Sequence, residues 1–247
     1  MNDAAAIKAD HHHYVEYGQG EPLILLPSFG LTNIAFRTLG EKLGRYYRVI
    51  IPDLYHGKST YAETAKTISD YVRALHSLIA SLGISNFYLV GISYSGFIAA
   101  DYSRAYPREM RKLFLISTSL VPIQKKWKSV VYPFAFLKLL LHNRSSQDGK
   151  KINKMLLSDA LTNALKHPAQ LLRDYAISLT AGDGLGSDEL DVPTKIICAE
   201  QDEFFPPEII KKMKAIKNLS VEVVPGGHTW FFNSEELMVE KAREFLR

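Results

Sequence analysis

The chain has 247 residues, 47% of them hydrophobic, and a formal net charge of only +4. That length and composition can bury a large core and exclude a disordered chain, while so small a charge leaves no overall footprint for nucleic acid. One α/β domain with an insertion fits. Residues 1 to 10 lack the apolar stretch of a secretion signal. The longest apolar run, Val130 to Leu141, is too short to span a bilayer and contains Lys138, so a cytoplasmic protein without a transmembrane segment is expected. The single cysteine, Cys198, lies in the apolar run Ile196 to Ala199 and is expected to pack rather than to react.

In chain order, His11-His12-His13 comes first. Neighbouring residues of a strand face opposite sides, and no carboxylate or cysteine stands at ligand spacing, so no metal site is expected. His12 to Tyr17, the turn from Gly18 to Pro22, and Leu23 to Leu26 read as a hairpin with a buried second strand that delivers the chain to Pro27-Ser28-Phe29-Gly30. A helix is predicted from Asn33 to Leu43, and a strand from Arg48 to Ile51 that runs into the polar loop Pro52 to Ser59. Ile68, Tyr71, Val72, Leu75, Ile79 and Leu82 recur at helical spacing and stop at Gly83. Phe87 to Val90 is a strand, a helix begins near Gly96 and ends before Pro107, and Leu113 to Ile116 is a further strand. Strands and helices alternating in this way imply a mostly parallel sheet.

The alternation breaks at Ser117. From about Ser119 to Gly186 the pattern is helical, including Val130 to Leu141 and Lys154 to Leu165, with no strand, and the loop Ala181 to Ser187 returns the chain. This predicts a helical insertion at 119–186 over a core made of 1–118 and 187–247. Strands at Thr194 to Cys198 and Val221 to Val224 follow, with a helix from Pro206-Pro207 to about Ile216 between them and a terminal helix opened by Ser234. The loops that leave the last two strands carry Asp202 and His228.

The stretch Val90-Gly91-Ile92-Ser93-Tyr94-Ser95-Gly96 joins a strand to a helix. A serine on so tight a turn is lifted clear of the sheet and needs small residues two positions either side. Gly91 and Ser95 meet that need for Ser93, whereas Phe97 would fail it for Ser95. A serine hydroxyl becomes a nucleophile when a histidine takes its proton and a carboxylate fixes the histidine's tautomer.

The order Ser93, Asp202, His228, together with the turn at Ser93, resembles the α/β-hydrolase fold family. Val192 to Ile197 leading to Glu200-Gln201-Asp202 and Pro206-Pro207 is similar to that family's acid loop, Pro225-Gly226-Gly227-His228 to its histidine loop, and Pro52-Asp53 with His56-Gly57-Lys58-Ser59 to a structural loop. The resemblance implies a mostly parallel sheet with helices on both faces and an inserted helical cap. It also implies catalysis by Ser93, Asp202 and His228 with no metal or organic cofactor, and oxyanion donors at the backbone N–H groups of Phe29 and Tyr94. Two positions depart from the family pattern: Pro27-Ser28 stands where His-Gly is usual, and Ser95 where glycine is commoner. Glu200 and Glu203 flank Asp202 but are displaced along the loop, so changing either to glutamine is expected to be mild.

A capped serine hydrolase acting on small to medium acyl esters or thioesters follows from this resemblance. Carbon–carbon bond hydrolases, acyltransferases and slow ligand-binding members share the same triad. The insertion holds ten basic residues, among them Lys125, Lys126 and Lys128, against four acidic ones, an excess larger than the net charge of the whole chain. With Tyr132, Phe134 and Phe136 beside them, the basic residues suggest an acyl pocket whose rim attracts an anionic substrate, an acidic acyl carrier or an anionic membrane surface.

Overall fold

The computed structural model describes residues 5–9, 12–54, 65–123, 125–144, 147–181, 189–205 and 207–247, with the backbone alone for 5–9, 12, 125–128, 130–131 and 189. His11, the loop through His56 to Ser59, the side chains of Lys125, Lys126 and Lys128, and the return over 182–187 lie outside the described residues.

Among the described residues there are eight strands: β1 (Ala5–Ala9), β2 (His12–Tyr17), β3 (Pro22–Leu26), β4 (Arg48–Pro52), β5 (Phe87–Ile92), β6 (Met110–Ile116), β7 (Glu189–Ala199) and β8 (Lys217–Val224). They form one sheet in the order β1-β2-β4-β3-β5-β6-β7-β8. The pairs from β4 to β8 are parallel, and β1 and β2 are antiparallel additions at one edge. The expected hairpin between β2 and β3 does not form, because β2 pairs with β4, with Tyr17 opposite Val49. The reason lies in the turn. Gly18, at φ +72°, packs so closely on the helix that follows β3 that an added Cβ would stand 2.0 Å from the Gly44 carbonyl oxygen. The turn therefore carries the chain past that helix end, and Arg48 then clamps Glu16 across β2 and β4 at 2.8 and 3.0 Å.

The central strands are apolar without interruption because both sheet faces are covered. In β5, Phe87 and Leu89 enter one core, and Tyr88, Val90 and Ile92 enter the other. The first core is closed by α2 (Ile68–Ser81) and α3 (Tyr94–Ala105), through residues such as Tyr71, Leu75 and Ile98. The second is closed by α1 (Arg37–Leu43) and the terminal helix Glu235–Leu246. Thr67 and Asp70 form a reciprocal cap that fixes the start of α2. Cys198 is buried in the first core, and burial pushes its thiol up to about 12, which suits packing rather than reactivity.

Among the described residues, three helices lie between β6 and β7: α4 (Lys125–Asn143), α5 (Gln147–Lys166) and α6 (Pro168–Thr180). The sequence pattern marks the first two. It misses the third because the buried positions of α6 include Gln170, Asp174 and Ser178, which interrupt the apolar period.

Asp174 anchors α6 to the core by accepting the Tyr71 hydroxyl of α2. Burial pushes its carboxyl up to about 7, against the opposing pull of the Tyr71 bond and of Arg173. Between about pH 4 and that value the unfolded chain has lost a proton that the folded chain keeps. The stability from this group is therefore present at low pH and is lost as pH rises through about 7. Asp174→Asn should remove that component, so the variant's Tm relative to wild type should climb between about pH 5 and about pH 8. A Tm difference that stays flat across the range contradicts the assignment.

Candidate active site

At the end of β5 the chain turns at Ser93 with φ 54° and ψ −118°, a conformation that costs a side-chain-bearing residue about 1–3 kcal/mol. The surroundings hold it there. The Ser93 N–H donates to the Ile116 carbonyl at 2.8 Å, and the Gly96 N–H donates to the Ser93 carbonyl at 3.0 Å. An added Cβ would stand 2.7 Å from Ala99 Cβ at Gly91 and 2.5 Å from the Thr118 side chain at Gly96, so both turn positions exclude larger residues. Ser95 is more than a small neighbour. Its fully buried hydroxyl accepts the Ile92 N–H at 2.8 Å and lies 2.9 Å from the Leu26 carbonyl, fastening the end of β3 to the turn.

Asp202 and His228 arrive on the loops after β7 and β8, at the same edge as Ser93, because parallel strands deliver all their C-terminal ends to one side. His228 Nε2 lies 2.9 Å from Ser93 Oγ, and His228 Nδ1 lies 2.9 and 3.0 Å from the two Asp202 oxygens. The Asp202 side chain is wholly buried, and its Oδ1 also accepts the N–H groups of Phe204 and Phe205 at 2.9 and 3.0 Å. These donors fix the carboxylate's orientation before it meets the imidazole. Phe204 covers the His228 ring at 4.5 Å between centroids, and Tyr132 lies edge-on to Phe204 at 5.6 Å. Burial, and after it the Asp202 charge, raises the pKa of the Tyr132 phenol, so it stays neutral.

Glu203 departs from the expectation that it resembles Glu200. Glu200 is exposed, whereas the Glu203 side chain is 1% exposed and accepts the His228 N–H at 2.8 Å. Gly227 must be glycine beside it, since a Cβ there would stand 2.7 Å from Glu203 Oε1. Glu203→Ala strands the buried His228 N–H and should cost about 1–3 kcal/mol of stability while lowering kcat. Glu200→Gln should change neither. Equal, small effects from both in thermal melts and ester turnover contradict a positioning role for Glu203.

Phe29 and Tyr94 face one another edge-on at 5.7 Å and line the same cavity as Ser93 and His228. Tyr94 opens α3, so its N–H belongs to the first turn, whose donors have no carbonyl partner inside the helix. The Phe29 loop turns through Gly30 at φ +72° and is closed by Leu31 N–H to Ser28 O at 3.2 Å. Pro27-Ser28 is thus compatible with a tight turn ahead of Thr32. The cavity measures about 370 Å³, and among the described residues its walls include no lysine or arginine.

Two of the helices between β6 and β7 bond to the loops that build the site. On α5, Asn163 donates to the Gly30 carbonyl at 2.9 Å, and Asp159 accepts the Thr32 N–H at 2.8 Å. On α4, Asn143 accepts the Thr229 hydroxyl at 3.1 Å and is itself held by Asn153 at 3.0 Å. His142 Nδ1 lies 3.3 Å from Glu203. Sequence reasoning missed these residues because each polar side chain looks like an ordinary helix-surface position until its distant partner is known. Among the described residues no group of three His, Cys, Asp or Glu could hold a metal.

A serine, an imidazole and a carboxylate are thus aligned at the C-terminal edge of the parallel strands. The chain belongs to the alpha/beta hydrolase family, whose sequence pattern matches residues 23–241. It is similar to Lipase 3 of Moraxella sp. (strain TA144), at 24% identity over 228 residues, covering 80% of this chain and 67% of the lipase. It is also similar to the pimeloyl-(acyl-carrier protein) methyl ester esterase of Aliivibrio fischeri (strain MJ11), at 22% identity, covering 93% of this chain and 95% of the esterase. A thermophilic esterase from Thermogutta terrifontis shares the fold with a TM-score of 0.77 at 21% identity, over 99% of this chain and 97% of that one. With lipases and esterases among its relatives, the chain stands among the hydrolases.

Proposed function

We propose that the protein is a serine hydrolase that cleaves carboxylic esters or thioesters of small to medium, uncharged acyl groups through an acyl intermediate on Ser93. In this reading Ser93 Oγ attacks the acyl carbon while its proton passes to His228 Nε2, and Asp202 holds the Nδ1–H. The N–H groups of Phe29 and Tyr94 meet the negative charge on the acyl oxygen. The bond to the leaving alcohol or thiol breaks as His228 returns the proton to it. Water then attacks the acyl-serine by the same route, releasing the acid and restoring the serine. No metal or organic cofactor takes part. Residues 119–186 serve as a cap over a core made of 1–118 and 187–247.

The observation that carries this reading is the hydrogen-bonded line Asp202–His228–Ser93 opening into an apolar cavity. Its volume of about 370 Å³ lies within the range of small-molecule sites. An anionic acyl tail would lose its hydration there without meeting a lysine or arginine among the described walls. The substrate is therefore taken as neutral, which narrows the anionic alternative raised by the basic insertion.

The test is kcat/KM for nitrophenyl esters of graded acyl length, each paired with an analogue ending in a carboxylate, at low and high salt. Activity should rise with length until the cavity is full, and the carboxylate should cost about tenfold or more at either salt concentration. Preference for the charged analogue, weakening with salt, contradicts the neutral assignment. Faster turnover of a vinylogous diketone than of any ester moves the protein to the carbon–carbon bond hydrolases.

A further inference from the structure

We propose that the outer faces of α4 and α5 form a docking surface for an anionic lipid layer, from which an acyl chain enters the cavity. The inference rests on the esterase reading for what happens after entry, but not for the docking itself.

Exposed apolar side chains are unevenly distributed over the molecule. Of the eleven large hydrophobic residues that are exposed among those described, eight lie on the three inserted helices. On α4 they include Phe134, Leu137 and Leu141, at spacings of three and four. On α5 they are Leu157, Leu161 and Leu165, each four apart. All six leave between 45% and 75% of their surface in water. Both helices already bury a separate apolar face, Ala135 and Leu139 on α4 and Ile152 and Leu156 on α5. The outer rows are therefore a second apolar face, beyond what packing on the core requires.

The charge on these faces identifies the occupant. Lys138 on α4 and Arg144 just past its end are exposed, and Lys150 and Lys154 continue the leucine row of α5 toward its N-terminus. Of the described acidic residues of the three helices, Asp159 is bonded to Thr32 and Asp174 to Tyr71, while the exposed Asp148 is paired with Lys151 on the same helix. A helix surface with aliphatic rows and basic flanks matches the boundary between anionic headgroups and acyl chains. A second copy of this chain would bring lysine against lysine. An acidic carrier protein would answer the lysines but leave the leucine rows in water.

The surface also reaches the cavity. Pro133 and Phe136 of α4 line the cavity and are exposed, so the wall opens beside Phe134 and Leu137. Among the described residues no helix is long and apolar enough to cross a membrane, so contact from one side is the mode proposed.

The test is co-sedimentation of the full chain with phosphatidylcholine vesicles, with and without phosphatidylglycerol. Binding should be about tenfold tighter when the anionic lipid is present and should weaken as salt rises. Leu161→Gln with Leu165→Gln, and separately Leu137→Gln with Leu141→Gln, should each lower binding about tenfold. Lys150→Gln with Lys154→Gln should remove the preference for phosphatidylglycerol. Turnover of a short, soluble ester should be unchanged in all three variants, which reports an intact fold. Vesicle binding needs no catalysis, so an enzyme inactive on every ester that still binds vesicles overturns the esterase reading and not the surface. Absence of vesicle binding, binding unaffected by the leucine changes, or a dimer that those changes dissociate overturns the lipid surface.

Discussion

Ser93→Ala is expected to reduce ester turnover by roughly 10⁴-fold or more while leaving the melting temperature near that of wild type. The hydroxyl supplies the attacking oxygen, but a methyl side chain suits the crowded turn between Gly91 and Gly96 as well as the serine does. The backbone bonds that hold the turn, Ser93 N–H to Ile116 and Gly96 N–H to Ser93, survive the change. His228→Ala should do similar damage. Because the serine and histidine act as one unit, the double variant should lose little more than either single variant. Near wild-type turnover in Ser93→Ala, or losses that add in full, contradict the proposed pair.

Asp202→Asn is expected to lower kcat/KM by about a thousandfold or more, for a reason specific to this loop. The N–H groups of Phe204 and Phe205 both point at Oδ1 and will hold the amide oxygen of the asparagine there. That puts the NH₂ at the Oδ2 position, 3.0 Å from His228 Nδ1, where a donor in place of an acceptor favours the tautomer in which Nδ1 accepts. In that tautomer the proton sits on Nε2, which faces Ser93 and cannot take up the serine's own. A steady-state profile of the variant checks this, and rising activity at high pH would fit a hydroxide-assisted remnant. If Asp202→Asn turns over at near wild-type rates while Glu203→Gln does not, the acid is Glu203.

Much of the sheet was legible because its signal is local. The apolar runs Leu23 to Leu26, Phe87 to Val90 and Leu113 to Ile116 mark strands covered on both faces, and each lies in a central strand. The partner of β2 was not legible, because it depends on how closely Gly18 packs on Gly44, a contact 26 residues away in the chain. The helix Pro168–Thr180 stayed hidden because its inner face holds a carboxylate and an amide in place of leucines.

The candidate site divides in the same way. Ser93, Asp202 and His228 could be singled out because each follows a strand at the same sheet edge. Glu203 could not be distinguished from Glu200 by its chemistry. Only the fold reveals that one carboxylate is buried against the His228 backbone while the other faces water. Ser95 was readable as a small residue, but its bond to Leu26 needs the parallel neighbour β3 to be in place. The ties from Asn163 and Asp159 to the Gly30 and Thr32 loop likewise join positions more than a hundred residues apart.

Whether Ser93 is a nucleophile activated by His228 is decided by treating the folded protein with a fluorophosphonate and mapping the adduct by mass spectrometry. A single covalent adduct is expected, located on Ser93, that forms rapidly in wild type, is absent from Ser93→Ala and forms far more slowly in His228→Ala. A folded wild-type protein that takes up no label, or that takes it up on another residue at the same rate in all three proteins, would contradict that role for Ser93.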